Sequence, residues 1–299
     1  MELAQLRALR ELGDRGSIAA VAAAMRVTPS SVSQQLAALQ RGVDVPLTER
    51  IGRRTTLTAA GRALSAAVVD VEIALAKADE SVGRFHAEPV GDVTVAAFTS
   101  AALALFGPLL AAPSRSTVAV SVSDHDVQQD AFPSLALDHD LVVAHRLRNS
   151  PPWPSSVAVV PLLEEPLDIA LRQGHPLSRF DAVGADQLRT AEWVAVHDGF
   201  PLEGAIETLS TLAGIDAAVR HRVNDFAVAA SVVAATDCVA LLPRHLAADS
   251  RPPGIDLRPT RGFSVTRRID ALARPEALQR RTVQTVLGEI RGRFGALAG

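Results

Sequence analysis

A heptad pattern between residues 64 and 85 constrains the fold of this 299-residue chain more than any other feature. Its apolar positions recur at alternating spacings of four and three residues: Leu64, Val68, Val71, Leu75, Ala78, Val82 and Phe85. Such a narrow seam is typical of a helix that packs against a partner helix, the alternative being one long helix on its own domain. The pattern predicts a helix over 58–86, about 43 Å long at roughly 1.5 Å per residue, that mediates dimerisation.

Composition limits the class of protein. The chain is 48% apolar and 21% charged, which excludes collagen-like and disordered chains. The single cysteine, Cys238, excludes an internal disulfide and any metal cluster held by cysteines alone, and its apolar surroundings predict a core position. Charged residues among the first leucines exclude a secretory signal peptide, so we expect a cytoplasmic protein.

One uncharged stretch, residues 94–114, is as long as a membrane span. Thr99-Ser100 and Gly107-Pro108 divide it. The stretch therefore predicts a buried strand, a turn and a short helix, and no membrane partner.

Charge is unevenly distributed along the chain. Residues 1–65 contain nine arginines and five acidic residues, whereas the remainder contains 21 basic and 28 acidic residues. A basic N-terminal part on an acidic body indicates that nucleic acid is contacted at one end only.

The N-terminal part has the pattern of a winged helix-turn-helix. Leucines at steps of three predict a first helix ending at Gly13, and Ser17 is placed to cap a second. Thr28 followed by Pro29 predicts the start of a third helix, with an outer face of Ser30, Ser33 and Gln34. The segment 43–58, with Gly52 and neighbouring arginines, predicts a two-stranded wing.

An α/β alternation follows Pro89-Val90-Gly91. The pattern predicts a parallel or mixed sheet covered by helices. The candidate strands are 93–97, 118–122, 140–144, 157–162, 168–171, 193–196, 238–242 and 268–273.

These residues resemble the LysR-type transcriptional regulators. The resemblance is dense over residues 1–65 and weaker but coherent from 89 onward. It depends on Gly16-Ser17-Ile18, Val27-Thr-Pro-Ser-Ser-Val-Ser-Gln-Gln-Leu36, Val45-Pro-Leu47, Glu49-Arg50, Gly52-Arg53-Arg54, Leu57-Thr-Ala-Ala-Gly61, Gly91-Asp-Val-Thr-Val95, Asp140-Leu-Val-Val143, Val239-Ala-Leu-Leu-Pro243 and Arg268-Ile-Asp-Ala271. Gln40, Thr48 and Gln34 depart from the family's usual acidic, aromatic and arginine residues.

The resemblance implies an N-terminal all-α winged helix-turn-helix domain (1–57) and a linker helix (58–88). A C-terminal α/β, periplasmic-binding-protein-like (type 2) effector domain would follow, with subdomain I at 89–161 and 268–299 and subdomain II at 162–267. It further implies a sequence-specific transcription regulator, not an enzyme, that forms homo-oligomers and uses no cofactor. Its partners would be a double-stranded inverted-repeat operator, a small-molecule effector such as a carboxylate, a second copy (and a tetramer), and RNA polymerase as a candidate.

Candidate DNA contacts follow from the chemistry of base and phosphate recognition. Short polar side chains at a helix N-terminus hold phosphate, glutamine pairs with adenine, and arginine enters a narrow minor groove. The predicted contact residues are Thr28, Pro29, Ser30, Ser33, Gln34, Arg50, Arg53 and Arg54. The alternative is a three-helix packing module without DNA.

Candidate effector contacts are the positions that match the ends of strands and the starts of helices in the family's cleft. They are Thr99, Ser100, Asp124 or His125, His145, Arg146, His197 and Asn224. Alternatives stay open: Thr99 and Ser100 also suit a plain helix cap, and each histidine suits a hydrogen-bonded structural position. Two Asp-His-Asp triplets, at 124–126 and 138–140, do not predict a metal site, because neighbouring side chains of an extended segment point to opposite faces.

Two other classes of protein compete with a regulator. A solute-binding receptor would need export, and an enzyme would need a catalytic constellation that the sequence does not show.

Overall fold

The computed structural model describes residues 1–52, 54–83, 85, 88–111, 117–200, 202–246 and 252–298. Residues 1–57 form the head. Its elements are α1 (Leu3–Arg15), α2 (Ile18–Met25), α3 (Pro29–Arg41), β1 (Thr48–Ile51) and β2 (Arg54–Leu57). The helices bury Leu9, Leu12, Val21, Val32 and Leu39 in one core, so each helix contributes the apolar face expected from its sequence.

The first helix is longer than the leucine spacing predicted. It continues past Gly13 to Arg15 and ends at Gly16, whose φ of +70° belongs to the left-handed region. Gly13 lies within the helix, and its lack of a side chain leaves room for Leu57. A Cβ at this position would lie 2.8 Å from Leu57 Cδ1.

The linker helix α4 (Ala59–Gly83) is shorter than predicted. Glycine is a poor helix former, and the helix ends there, so Phe85 lies beyond the helix in a turn. The seam within the helix thus extends from Leu64 to Val82.

The C-terminal domain follows Pro89. Its elements are β3 (Gly91–Ala97), α5 (Thr99–Ala111), β4 (Val118–Asp124), α6 (Phe132–Leu135), β5 (Leu141–Leu147), β6 (Ala158–Arg172), β7 (Val183–Gly184), α7 (Ala185–Leu188), β8 (Glu192–Ala195), α8 (Gly204–Ala213), β9 (Ala218–Arg222), α9 (Phe226–Ala235), β10 (Val239–Pro243), β11 (Ile255–Arg258), β12 (Thr260–Arg261), β13 (Val265–Ala273) and α10 (Arg281–Ala298).

A mixed sheet of nine strands runs through the whole domain, in the order β4-β3-β5-β13-β6-β10-β8-β9, with β11 also paired to β6. The pairs β3–β4, β3–β5, β8–β10 and β8–β9 are parallel, whereas β13 and β6 are antiparallel to their neighbours. The two antiparallel strands therefore join two parallel halves. The mixed sheet that the sequence predicted is present.

Two segments that the sequence predicted as separate strands form a single strand in the structure. The segments 157–162 and 168–171 belong to the continuous β6, because Pro161 and Pro166 sit in the strand with partners Asp270 and Thr266 on β13. Similarly, α5 continues through Pro108, held by the buried Leu105 and Leu109 on either side. Strands β7, β9, β11 and β12 were not predicted, since they are short or carry charged residues such as Arg220 and Arg222.

Three buried clusters divide the C-terminal domain. The first lies around β3, β5, α5 and α10, and the second and third lie on the two faces of the β6–β10–β8 half, under α8 and α9. We call these halves the first and second subdomains. The predicted boundaries at 161/162 and 267/268 fall within the two strands that cross between them.

The head packs against the first subdomain through charged side chains. The Arg10 guanidinium donates to both carboxylate oxygens of Glu276, at 2.9 and 3.1 Å. Arg274 pairs with Glu11 and with Asp14, and Arg15 donates to Asp138 at 2.9 Å. We refer to this set as the head–body ion-pair cluster.

Candidate DNA interface and effector cleft

A side-chain cap at Thr28 defines the start of α3. Thr28 Oγ1 accepts a hydrogen bond from the Ser31 amide at 3.2 Å, and Pro29 occupies the first helical position, where no N–H is needed. The preceding turn holds Arg26 at a φ of +54°, a left-handed conformation that is rare for a residue other than glycine. A short turn between two helices is typical of a helix-turn-helix unit.

The outer face of α3 is polar and open. Ser30, Ser33 and Gln34 are exposed, while Val32 on the opposite side is fully buried. Ser33 Oγ donates to Pro29 O at 3.0 Å, and the Gln34 side chain is exposed next to it. Thr28 and Pro29 are exposed at the same end of the helix.

The wing is a hairpin in which Thr48 pairs with Leu57 and Ile51 with Arg54. Gly52, at a φ of +61°, begins its tight turn. Arg50 and Arg54 are exposed on its two strands, and Arg53 lies outside the described residues.

Gln40 holds the wing against α3. Its Nε2 donates to Val43 O and Val45 O, at 3.1 and 2.9 Å, and its Oε1 accepts from the Leu47 amide at 2.8 Å. A carboxylate at this position could not donate to the two carbonyls, so the departure from the family's usual acidic residue is matched by local hydrogen bonding.

The head joins α4 through a close backbone contact. Thr58 caps the helix, accepting from the Gly61 amide at 3.0 Å and donating to Pro46 O at 2.6 Å. A Cβ on Gly61 would lie 2.0 Å from Leu47 O, so only glycine fits there. The wing entry and the linker helix are thereby fixed together.

The predicted seam of α4 changes in exposure along its length. Val68 is buried and Leu64 half-buried against the head, whereas Val71, Ala78 and Val82 are exposed and Leu75 is half-buried. Val82 is 67% exposed and Phe85, beyond the helix, 92%. The C-terminal half of the seam is thus an apolar strip that a single chain leaves in contact with water.

A small cavity of about 30 Å³ lies between the two subdomains, where the first residues of α5 face the first residues of α9. We call it the inner cavity. It is lined by Phe98, Thr99, Ser100, Leu103, Asp126, His145, Phe200, Asn224, Asp225, Phe226 and Ala227. Phe200 also borders a larger open groove of about 630 Å³ along α8.

Four of the predicted effector residues line this cavity: Thr99, Ser100, His145 and Asn224. The His145 ring is buried and stacks on Phe98, with centroids 4.1 Å apart. Burial, and next the nearby Arg267 charge, hold the pKa of His145 well below its usual range, so its ring is neutral. Asn224 accepts from the His197 backbone amide at 2.9 Å.

The other predicted effector residues are placed elsewhere. Asp124 and His197 are exposed outside the cavity lining, and His125 bonds Ser123 at 3.1 Å. Arg146 follows His145 on β5 and points to the opposite face of the sheet, where it donates to Ser150 O at 3.0 Å and lies over Trp153.

Sequence reasoning missed a buried arginine behind the cavity. Arg267 on β13 has no solvent exposure, and its Nε and NH2 lie 2.8 and 2.7 Å from Glu165 Oε2 on the facing strand β6. The second carboxylate oxygen accepts from the backbone amides of His245 and Leu246, both at 2.7 Å. Burial lowers the pKa of Arg267 and Glu165 opposes that shift, yet the guanidinium stays charged.

The same guanidinium touches both subdomains. Its NH2 lies 3.3 Å from Ser100 Oγ, and its Cζ is 5.2 Å from the Phe98 ring and 5.5 Å from the Phe226 ring. The pattern Val265, Arg267, Ile269 alternates along one face of the strand, and that alternation was the signal for burial.

Among the residues that the structure describes, no group of three or more His, Cys, Asp or Glu side chains is arranged to hold a metal ion. Within the same described part of the chain, none of the helices is both long and apolar enough to span a lipid bilayer. Cys238 is buried.

Comparison with known proteins agrees with both halves of the molecule. Residues 3–62 match the family model of bacterial regulatory helix-turn-helix proteins of the lysR family, and residues 86–295 match that of the LysR substrate binding domain. The chain is 25% identical over 245 residues to the HTH-type transcriptional regulator GbpR of Rhizobium radiobacter, covering 81% of this chain and 80% of the relative. It is 27% identical over 253 residues to the transcriptional dual regulator GltC of Bacillus subtilis (strain 168), covering 84% of each.

Solved structures share the fold. A full-length OxyR variant from Pseudomonas aeruginosa superposes with a TM-score of 0.67 at 18% identity, covering 97% of this chain and 95% of that one. CbnR in complex with its target DNA gives a TM-score of 0.56 at 24% identity, covering 98% of this chain and all of that one.

A winged helix-turn-helix head on a two-subdomain α/β ligand-binding domain defines a bacterial transcription regulator. This chain belongs to the LysR family, and it is a DNA-binding regulator that responds to a small molecule.

Proposed function

We propose that two copies of the chain pair through the α4 seam and present their heads to an inverted-repeat operator, with half-sites about one helical turn apart. The observation that carries the proposal is the joint exposure of three surfaces: the polar face of α3, the wing arginines and the apolar strip of α4. Two heads related by a two-fold axis meet equivalent grooves only if the DNA repeats with the same symmetry.

In this proposal α3 enters the major groove. Thr28, Pro29 and Ser30 approach phosphate at the helix N-terminus, while Ser33 and Gln34 face base edges. Arg50, Arg53 and Arg54 of the wing add charge contacts beside the groove. The exposed polar positions on α3 and the two described wing arginines support this arrangement.

The assembly test is a single charge in the seam. Leu75→Glu puts a carboxylate into the proposed helix pair and should yield monomers in light scattering at micromolar concentration. Ala74→Glu, an exposed neighbour outside the seam, is the matched control and should leave the dimer intact. A wild-type monomer at that concentration would overturn the pairing.

The DNA test is a salt titration of binding to an inverted-repeat duplex. Arg54→Ala should weaken binding and lower the salt slope by roughly one unit, as expected for one lost phosphate contact. Arg189→Ala, an exposed arginine in the second subdomain, should change neither. Equal slopes for wild type and Arg54→Ala would remove the wing from the interface.

The effector half of the proposal places a small polar ligand at the inner cavity, with Thr99, Ser100, His145 and Asn224 as contacts. A ligand regulates only through unequal affinity for two arrangements of the protein, here two relative placements of the subdomains. The proposed function has four further parts. The C-terminal domains pair into tetramers, the regulator contacts RNA polymerase, it is located in the cytoplasm, and it has no catalytic activity. Turnover of a metabolite by the purified full-length chain would contradict the last of these.

A further inference from the structure

The two ends of the inner cavity carry opposite chemistry. At its inner end, Arg267 lies behind Ser100 and between the rings of Phe98 and Phe226. At its other end, Asp126 from the first subdomain and Asp225 from the second both line the wall.

Two buried polar atoms near the inner end lack a hydrogen-bond partner. Arg267 NH1 and His145 Nδ1 are buried and make no hydrogen bond among the described residues. A buried donor without an acceptor costs free energy, and a guanidinium costs more than a neutral group. His145 lines the cavity directly, whereas Arg267 lies behind the lining, with its NH2 3.3 Å from the Ser100 hydroxyl that lines it. A ligand oxygen that carries negative charge is the group that suits this end.

The outer end is acidic. Asp225 caps α9 through its Oδ1, which accepts from the Val228 amide at 2.9 Å. Burial, and next the charges of Asp225 and Asp124, raise the pKa of Asp126. Among the described residues that line the cavity there is no lysine or arginine to offset these two carboxylates. Two like charges brought together from different subdomains repel each other, and a cation between them removes that repulsion.

We infer that the effector is a small zwitterion, an amino-carboxylate whose carboxylate faces Arg267, Ser100 and His145 and whose ammonium group lies between Asp126 and Asp225. The inference rests on the proposed effector role of this cleft and adds the chemical class of its ligand. The ammonium group bridges the two subdomains, so it stabilises their approach. That gives the ligand the differential affinity which regulation requires.

In the arrangement that the structure shows, the cavity is too small for an amino acid. A cavity of about 30 Å³ holds a water molecule or two, so the subdomains must separate to admit a ligand and then close on it. Phe200 separates the cavity from the larger open groove, since its side chain lines both.

The experiment is calorimetry on the full-length protein with sets of three compounds. Each set contains an amino acid, the same acid without its amino group, and the same amine without its carboxylate. The amino acids are the twenty standard ones together with β-alanine and γ-aminobutyrate. We expect at least one amino acid to bind. Its deaminated acid and its amine without the carboxylate should each bind roughly 10- to 100-fold more weakly.

Two variants assign the charges to the two ends. Asp225→Asn keeps a residue that caps helices equally well but removes the carboxylate charge. The affinity for the amino acid should therefore fall at least about tenfold, whereas the affinity for the deaminated acid should stay unchanged. Ser100→Ala should weaken both. Asp186→Asn, an exposed carboxylate in the same subdomain, is the control and should change neither affinity.

The outcomes separate this inference from the function on which it rests. Tighter binding of deaminated acids than of amino acids, no binding by any amino acid, or an unchanged preference in Asp225→Asn would each overturn the zwitterion. If an amino acid binds as expected but leaves operator affinity unchanged, the ligand class stands and the proposed regulatory role of the cleft fails.

Discussion

Two arginine–glutamate pairs lie at neighbouring positions of the same two strands and differ in almost every physical respect. Arg267 pairs with Glu165, and Arg268 with Glu164, in consecutive registers of β13 and β6. Because side chains alternate along a strand, one pair enters the junction of the subdomains and the other faces water. The first pair has no exposed side-chain surface, whereas Arg268 and Glu164 are 37% and 49% exposed.

The environment determines what each pair contributes. Glu165 accepts from two backbone amides and from Arg267, so its charge is compensated within the protein. Removing one member of such a pair leaves a charge that neither water nor a partner solvates. Arg268 and Glu164 keep contact with water, which screens their attraction at 2.8 Å. The same residue types are therefore a structural requirement on one face and nearly dispensable on the other.

The largest effect should come from Glu165→Gln. The amide keeps the shape of the side chain and can still accept from the His245 amide, but Arg267 loses its counter-ion. We expect a loss of about 3–5 kcal/mol in the free energy of unfolding, measured by urea denaturation with an unchanged m-value. A loss below about 1 kcal/mol would show that Arg267 is solvated in some other way.

The contrast also shows what the sequence could and could not predict. Thr28 followed by Pro29 predicts the start of α3, because a cap and the first helical position are local properties of the chain. Arg267 and Glu165 are about a hundred positions apart, and their pairing depends on which strands become neighbours. The pair was missed for that reason. The gap predicted between residues 162 and 168 was wrong for the same kind of reason, since pairing of Pro166 with Thr266 on β13 overrides the local tendency of proline to end a strand.

For the candidate site, the helix start at Thr99 and Ser100 could be located from sequence. Asp225 is a helix cap by local pattern, yet its position opposite Asp126 depends on the approach of two subdomains. Arg146 was predicted as an effector contact because its position beside His145 matches a strand end in the family's cleft, but the alternation of β5 directs it away from His145 and toward Trp153. Residue type predicted the local elements, and topology determined which side chains share the cavity.

A second prediction concerns pH, because His145 is fully buried and lies near the Arg267 guanidinium. Its folded pKa lies below the unfolded value of about 6.5, so the unfolded chain binds more protons as pH falls below that value. The contribution of the neutral ring to the free energy of unfolding is complete above about pH 6.5. Below that pH the contribution decreases by up to about 1.4 kcal/mol per pH unit.

The measurement is the free energy of unfolding of wild type and His145→Asn between about pH 7.5 and pH 5. The difference between the two curves isolates this histidine, since His139 and His175, whose pKa values burial also lowers, are present in both proteins. Parallel curves would mean that His145 does not titrate differently on folding.

The head–body ion-pair cluster provides a case of intermediate burial. Side-chain exposures are 5% for Arg10 and 18% for Glu276. Glu276→Gln should therefore cost about 1–2 kcal/mol, between the two strand pairs, and part of this loss should appear as release of the head. The head–body distance, followed by energy transfer between dyes in the two parts, should increase in the variant and in wild type at high salt. An unchanged distance in both would show that other contacts hold the head.

The smallest effect should come from Glu164→Gln, the exposed counterpart of the first substitution. Arg268 loses its partner but retains hydration, and Arg148, 3.8 Å from the same carboxylate, is also exposed. We expect a change of about 0–1 kcal/mol that disappears at 1 M salt, where the Debye length is about 3 Å. Urea denaturation of Glu164→Gln, Glu165→Gln and the double variant at low and high salt completes the comparison. A loss for Glu164→Gln as large as that for Glu165→Gln would mean that strand pairing, rather than burial of charge, determines the cost of both.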